Sequence, residues 1–264
     1  MLAYVSKMVP LLCLLLVMQA CNTDKTEDPV LDTAIAKEYE LDLWETLDNN
    51  TRTLQIRANT IQSQDCLNYY IESSISRKGS NFEINLGKPQ IPSVCEPGIG
   101  TAKSTLDLGI ISNGTYNLTV KLGQIVPSTG RLVVSNGSFY LSILNPIGFR
   151  ITRNNLLRVP DNTIWGYIGY DANALPVVTQ FFTDLAGISQ NIDLPKGYYG
   201  HFNLLESGVI ELGNAPASTD RPIQPILRRF QANEKDLEKL IQTYRERHGQ
   251  SILIRLRNTA GKEY

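Results

Sequence analysis

Between residues 38 and 144, apolar side chains return at every second position in short runs, and this period confines that part of the chain to strands. Successive strand residues point to opposite faces, so a period of two buries one face and wets the other. Tyr39, Leu41 and Leu43 alternate with Glu38, Glu40 and Asp42, Asn49-Asn50 marks a turn, and Leu54, Ile56 and Ala58 resume the pattern. Further strands are expected over 67–76, 81–86, 105–111, 115–122, 131–134 and 139–144. Gly79, Gly87, Gly100, Gly114, Gly130 and Gly137 fall in or near the breaks. Many short strands with no helical pattern between them point to an antiparallel sandwich.

After Asn145-Pro146 the texture changes. Phe149, Ile151 and then Leu156 and Leu157 lead through Pro160-Asp161-Asn162 into 164–170, which reads as two paired strands around a turn. Pro176, Val177, Val178, Phe181, Phe182 and Leu185 have helical spacing with proline near the start, and Gly187 reads as the stop. Strands are expected over 198–205 and 209–212. Asn233 is placed to cap a second helix carrying Glu234 and Asp236 in its first turn and Leu237, Leu240, Ile241 and Tyr244 as its apolar stripe, before Gly249 ends it. Ile252, Ile254 and Leu256 then alternate with Leu253, Arg255 and Arg257. Strand pairs with two intervening helices make a small α+β domain.

Residues 9–18 form an apolar run after Lys7, too short to span a bilayer, which needs roughly 20 apolar residues, and of the size of a signal-peptide core. The run ends at Met18-Gln19-Ala20-Cys21, which resembles the lipobox of bacterial lipoproteins, in the looser form found among the Bacteroidetes. That resemblance implies removal of residues 1–20, lipid on Cys21 and a place in the cell envelope, and the acidic tether favours the outer membrane, on its periplasmic or its surface side. Residues 22–29 are polar without apolar periodicity and read as a tether. With Cys13 in the leader and Cys21 acylated, the folded part keeps Cys66 and Cys95, and an oxidising compartment makes one disulfide between them the expectation.

Leu108 followed by Ser112-Asn113-Gly114-Thr115-Tyr116-Asn117-Leu118-Thr119-Val120 resembles the tyrosine corner of immunoglobulin-like domains, in which the tyrosine hydroxyl bonds backbone upstream. Leu118 stands where antibody-type domains have cysteine, so a Cys66–Cys95 bond is not their usual bridge between sheets. The expected organisation is a signal peptide over 1–20, a tether over 21–33, an all-β immunoglobulin-like sandwich over 34–145 and an α+β domain over 146–264.

The formal net charge of −1 argues against nucleic acid as the main partner. Charge is uneven, acidic over 22–60 and rich in Arg and Lys over 221–264, which reads either as solvated faces or as a basic surface for an acidic partner. In a strand from Tyr198, alternation places Tyr199, His201 and Asn203 on one face, where with Trp165 or Tyr167 they would make an aromatic, hydrogen-bonding surface suited to a sugar or peptide. Glu206 and Glu211 flank a turn at Ser207-Gly208, the minimum that acid and base roles in glycoside hydrolysis require. Two thiols with His201 and His248 make no spaced metal-ligand set, and no phosphate loop or dinucleotide fingerprint occurs, so neither metal nor cofactor is expected. The leading expectation is a non-catalytic envelope lipoprotein that docks a protein partner. A glycan-binding surface protein and a glycoside hydrolase-like enzyme are the alternatives.

Overall fold

The first hairpin shows how local sequence sets the sheet. In the computed structural model, which describes residues 36–123, 127–213, 221–231 and 233–264, β1 (Tyr39–Asp48) and β2 (Thr51–Cys66) pair antiparallel from Asp48↔Thr51 to Tyr39↔Thr60. The turn residues Asn49 and Asn50 have φ of 46° and 60°, positive at both central positions as a tight hairpin requires, and asparagine tolerates that region. Tyr39, Leu41, Leu43 and Leu47 of β1 and Leu54, Ile56 and Ala58 of β2 are buried. The expected leader, Cys21 and the tether lie outside the described residues.

The chain continues through β3 (Tyr70–Lys78), β4 (Asn81–Gln90), β5 (Pro97–Gly109), β6 (Gly114–Leu122), β7 (Ser128–Val134) and β8 (Ser138–Ile143). Two short strands, β9 (Phe149–Ile151) and β10 (Asn155–Leu157), complete a ten-stranded sheet of order β10-β8-β7-β6-β4-β3-β5-β2-β1-β9. A single residue pair, Tyr70↔Lys103, joins β3 to β5 and divides the sheet into two sections. Inward side chains of both sections form one core that includes Leu41, Ile56, Ile84, Leu118, Leu132 and Leu141. Across it the Tyr39 hydroxyl of β1 donates to the Gly87 carbonyl of β4 at 2.9 Å. This predominantly β arrangement is compatible with a sandwich. Three pairings are parallel, β4 with β6, β1 with β9 and the single-pair junction of β3 with β5, and no local pattern announces any of them. The Tyr116 hydroxyl donates to the Ser112 carbonyl at 2.8 Å, the upstream backbone bond expected of that residue. Cys66 and Cys95 are joined, tying the end of β2 to the β4–β5 connection.

The second core lies under two helices. β11 (Thr163–Tyr170) is flanked by β16 (Ile223–Phe230) and β17 (Ile252–Asn258), with β12 (Ser189–Asn191) outside β16. The expected pairing of 156–157 with 164–170 does not form, because β10 joins β8 while β11 pairs with β16 and β17. Helices α1 (Leu175–Ile188) and α2 (Glu234–His248) cover one face, where Val178, Phe181, Leu185, Leu237 and Ile241 meet Ile164, Ile168 and Ile254. Asn233 accepts the Lys235 backbone N–H at 3.1 Å, a cap that contributes about 1 kcal/mol.

A three-stranded sheet of β13 (Gly197–Tyr198), β14 (Phe202–Leu204) and β15 (Ile210–Leu212) sits where these regions meet. Its core joins Leu47 of β1, Trp165 of β11, Tyr199, Phe202 and Leu204. Residues 36–264 form one compact unit.

Candidate functional site

The strand expected over 198–205 breaks at Gly200, whose φ of +79° is the left-handed conformation glycine adopts without cost. The break corrects the expected alternation. Tyr199 turns into the core, 2% exposed, its ring stacked on Phe202 at 4.8 Å and its hydroxyl donating to the Pro195 carbonyl at 2.8 Å. Burial pushes its hydroxyl pKa up to about 12. Asn203 stays on the hairpin, where its amide donates to Glu211 at 3.1 Å. Glu206 and Glu211 are both exposed.

His201 goes elsewhere. Its ring lies between Trp44 and Trp165, at centroid distances of 4.8 and 5.2 Å, and its Nε2–H donates to the Glu45 carbonyl at 3.0 Å. A carbonyl only accepts, so the tautomer is set by that bond. Burial, reinforced by the Arg257 guanidinium and then by Arg57 and Arg52, pushes the imidazole pKa down to about 4, against the opposing pull of the Glu45 carbonyl. The ring is therefore neutral at physiological pH and serves as a wedge between two indoles.

Beside it opens a cavity of about 560 Å³ along β17, whose lining includes Trp165, Tyr167, His201, Arg255, Arg257 and Tyr264. Sheet geometry explains the grouping. Ile164 and Ile168 of β11 face the helices, so Trp165 and Tyr167 face the other way, and the register sets Trp165 against Arg257 and Tyr167 against Arg255. Gly166 is needed between them, since a Cβ there would lie 2.0 Å from the Arg255 carbonyl oxygen.

The cavity is cationic. Arg245 of α2 also lines it, and Glu263 is its one side-chain carboxylate among the described residues. Arg257 donates to the Leu47 carbonyl at 3.0 Å, lies 3.7 Å from Glu263, and has a buried Nε without a hydrogen-bond partner among the described residues. Arg245 donates to the Ile254 carbonyl at 2.8 Å, and burial followed by the nearby Arg255 charge lowers its pKa. Arg255 is exposed and forms no ion pair among the described residues. Planar guanidiniums beside aromatic rings suit carboxylates and other planar anions, which they bind through paired hydrogen bonds.

A groove of about 590 Å³ between α1 and α2 is as large and carries two carboxylates, of which Asp184 is occupied: it accepts from Tyr244 and Gln180, each at 2.7 Å. These bonds, Tyr244 first, hold the Asp184 carboxyl below its usual range.

Of the five residues expected to share a binding face, Trp165, Tyr167 and His201 converge on the β17 cavity, with only the edges of the buried Trp165 available, while Tyr199 and Asn203 do not line it. The arginines were visible as alternation in 252–257, but their pairing with β11 depends on contacts distant in sequence. No family model, no curated protein and no solved structure matches this chain.

Proposed function

We propose that this chain is a non-catalytic lipoprotein of the cell envelope, anchored on the outer membrane through Cys21, that docks a protein partner. In this reading an immunoglobulin-like sandwich is the spacer, and the region built on β11 and β17 presents the docking face. The observation that carries it is the β17 cavity, where Arg245, Arg255 and Arg257 meet Tyr167 with a single opposing carboxylate. Arginine and tyrosine dominate binding energy at protein interfaces, and a cationic cavity of this kind accepts an acidic segment. The bond from Tyr116 to Ser112 supports the immunoglobulin-like assignment, and the parallel β4–β6 pairing is a local departure from an all-antiparallel sandwich.

The test is affinity purification of the detergent-solubilised full chain from envelopes, wild type against Arg255→Glu. A protein retained by the wild type and recovered about tenfold less with the charge reversed supports docking through this cavity. Equal recovery by both forms, or no specific protein, counts against it.

Glycan binding is the second reading, favoured by the half-buried ring of Tyr167 at the cavity. Trp165 is 4% exposed and offers a sugar little stacking surface. Binding on a glycan array that Tyr167→Ala abolishes would move the assignment there.

A further inference from the structure

Exposed apolar side chains gather at the end of the sheet remote from the β17 cavity, although Ile110, 71% exposed, stands at the other end beside Asn50 and Arg52. Ile91, Val94 and Ile99 are 72%, 75% and 80% exposed, and Ile61, Leu67 and Tyr70 stand exposed beside them. All six belong to one tip. The Cys66–Cys95 bond, the Leu67 N–H donating to the Glu96 carbonyl at 3.0 Å, and the Asn68 amide donating to the Val94 carbonyl at 2.8 Å hold the two connecting segments together. Tyr70 pairs with Gln90, which brings Ile91 alongside. A fold that spends a disulfide and a side-chain clamp on holding isoleucine and valine in water has set out an apolar contact surface.

The path of the chain says what meets it. The Glu38 carbonyl accepts the Ile61 N–H at 2.8 Å, so the chain enters β1 beside this tip and then runs away from it. The far end of β1 carries Glu45 and Leu47, whose carbonyls hold His201 and Arg257. Tip and cavity are therefore separated by the length of β1, roughly 30 Å for a ten-residue strand. Cys21 precedes Ala36 by fifteen residues, a reach of at most roughly 50 Å when fully extended. Asp65 and Glu96 adjoin the two bonded cysteines and Lys103 pairs with Tyr70, so both signs of charge stand at the tip.

We infer that this disulfide-bound tip rests on the lipid bilayer, with Ile91, Val94 and Ile99 entering the headgroup boundary, so that the β17 cavity points away from the membrane. The inference rests on the reading of Cys21 as the lipid-bearing residue. A lipid chain reinforced by a second apolar contact holds a protein more firmly than either does alone.

The experiment uses the full chain, produced in a bacterium and reconstituted into vesicles of phosphatidylethanolamine and phosphatidylglycerol, with plain or brominated acyl chains. Val94→Trp and Ile99→Trp report contact with lipid through bromine quenching. Leu175→Trp, at an exposed position on α1, reports its absence, and the native Trp44 and Trp165 supply a constant background measured in the wild type. The mass of the N-terminal peptide reads lipidation of Cys21 independently. Quenching at the tip about threefold or more above that at Leu175→Trp is the expected result, with lipid on Cys21. Lipid on Cys21 with equal quenching at both places overturns the tip contact and leaves the anchor standing. An unmodified Cys21 with strong tip quenching keeps the contact and removes the anchor. A blue shift of the tip tryptophans in a dimer, without bromine quenching, assigns the surface to a second copy and overturns the proposal.

Discussion

At the end of β1 that meets the helical region, nearly every buried polar group is satisfied. Glu45, 2% exposed, is gripped by Arg52 at 3.4 Å and Arg158 at 3.1 Å, and Arg52 also donates to the Val159 carbonyl and to Asp161. Arg57 lies 3.6 Å from the Trp44 ring centre, and Arg153 sits 4.1 Å from that of Tyr198 while pairing with Asp42. At the opposite end the chain leaves isoleucine and valine in water and relies on a covalent bond for shape. A closed interface within the molecule tolerates buried charge only when each charge is matched, whereas a surface awaiting an external contact carries unmatched apolar groups. The contrast sets an internal joint of matched charges, beside which the β17 cavity opens, against a tip whose apolar side chains the described residues leave uncovered.

Breaking the joint should have the largest effect. Glu45→Ala removes the carboxylate that two guanidiniums share and is expected to cost about 4 kcal/mol in urea unfolding. Opening the tip comes next. Cys66→Ser with Cys95→Ser releases a loop closed over a separation of 29 residues and should cost about 3.6 kcal/mol in the chain-entropy model, with faster amide exchange over 91–99 and unchanged exchange at β11 and β17. If the loss spread to β11, the two ends would be coupled and the contrast between them wrong.

The pH dependence sharpens the comparison from the joint's side. His201 is held down to about pKa 4 from the ordinary imidazole value of 6.5, by burial first and the Arg257 charge second. Between about pH 6.5 and about pH 4 the unfolded chain binds a proton that the folded chain refuses. Stability is therefore lost as pH falls through that window, by about 2 kcal/mol once the ring's residual exposure to solvent is discounted. His201→Gln, measured by urea unfolding across the same range, should flatten that slope, and an unchanged slope would assign it to other groups. Tyr116→Phe gives the smallest effect, about 1 kcal/mol for the hydroxyl bond to Ser112.

Features set by neighbours in sequence were legible. The Asn49-Asn50 turn, the Tyr116 corner and the Asn233 cap each depend on a few adjacent residues, and each takes the conformation that those residues favour. The disulfide joins the two cysteines that the sequence reading paired. Contacts between distant segments were not legible. Nothing near Phe149 says that β9 lies parallel to β1, and β16 was not expected as a strand at all, since its sequence, Ile223 to Phe230, carries Pro225 and two arginines in place of clean alternation. The face proposed for binding was half visible: Trp165, Tyr167 and His201 were selected as aromatic and polar residues, but Gly200 rotates Tyr199 inward, and Arg255 and Arg257 reach the cavity through sheet pairing alone.

The most direct measurement places a photoreactive side chain at Tyr167 in one form of the full chain and at Val94 in another, with irradiation in intact cells. Protein adducts from Tyr167 and lipid adducts from Val94 are the expected pair, since the cavity and the tip lie at opposite ends of β1. Protein adducts from Val94 with none from Tyr167 would contradict the account and reverse the assignment of the two ends.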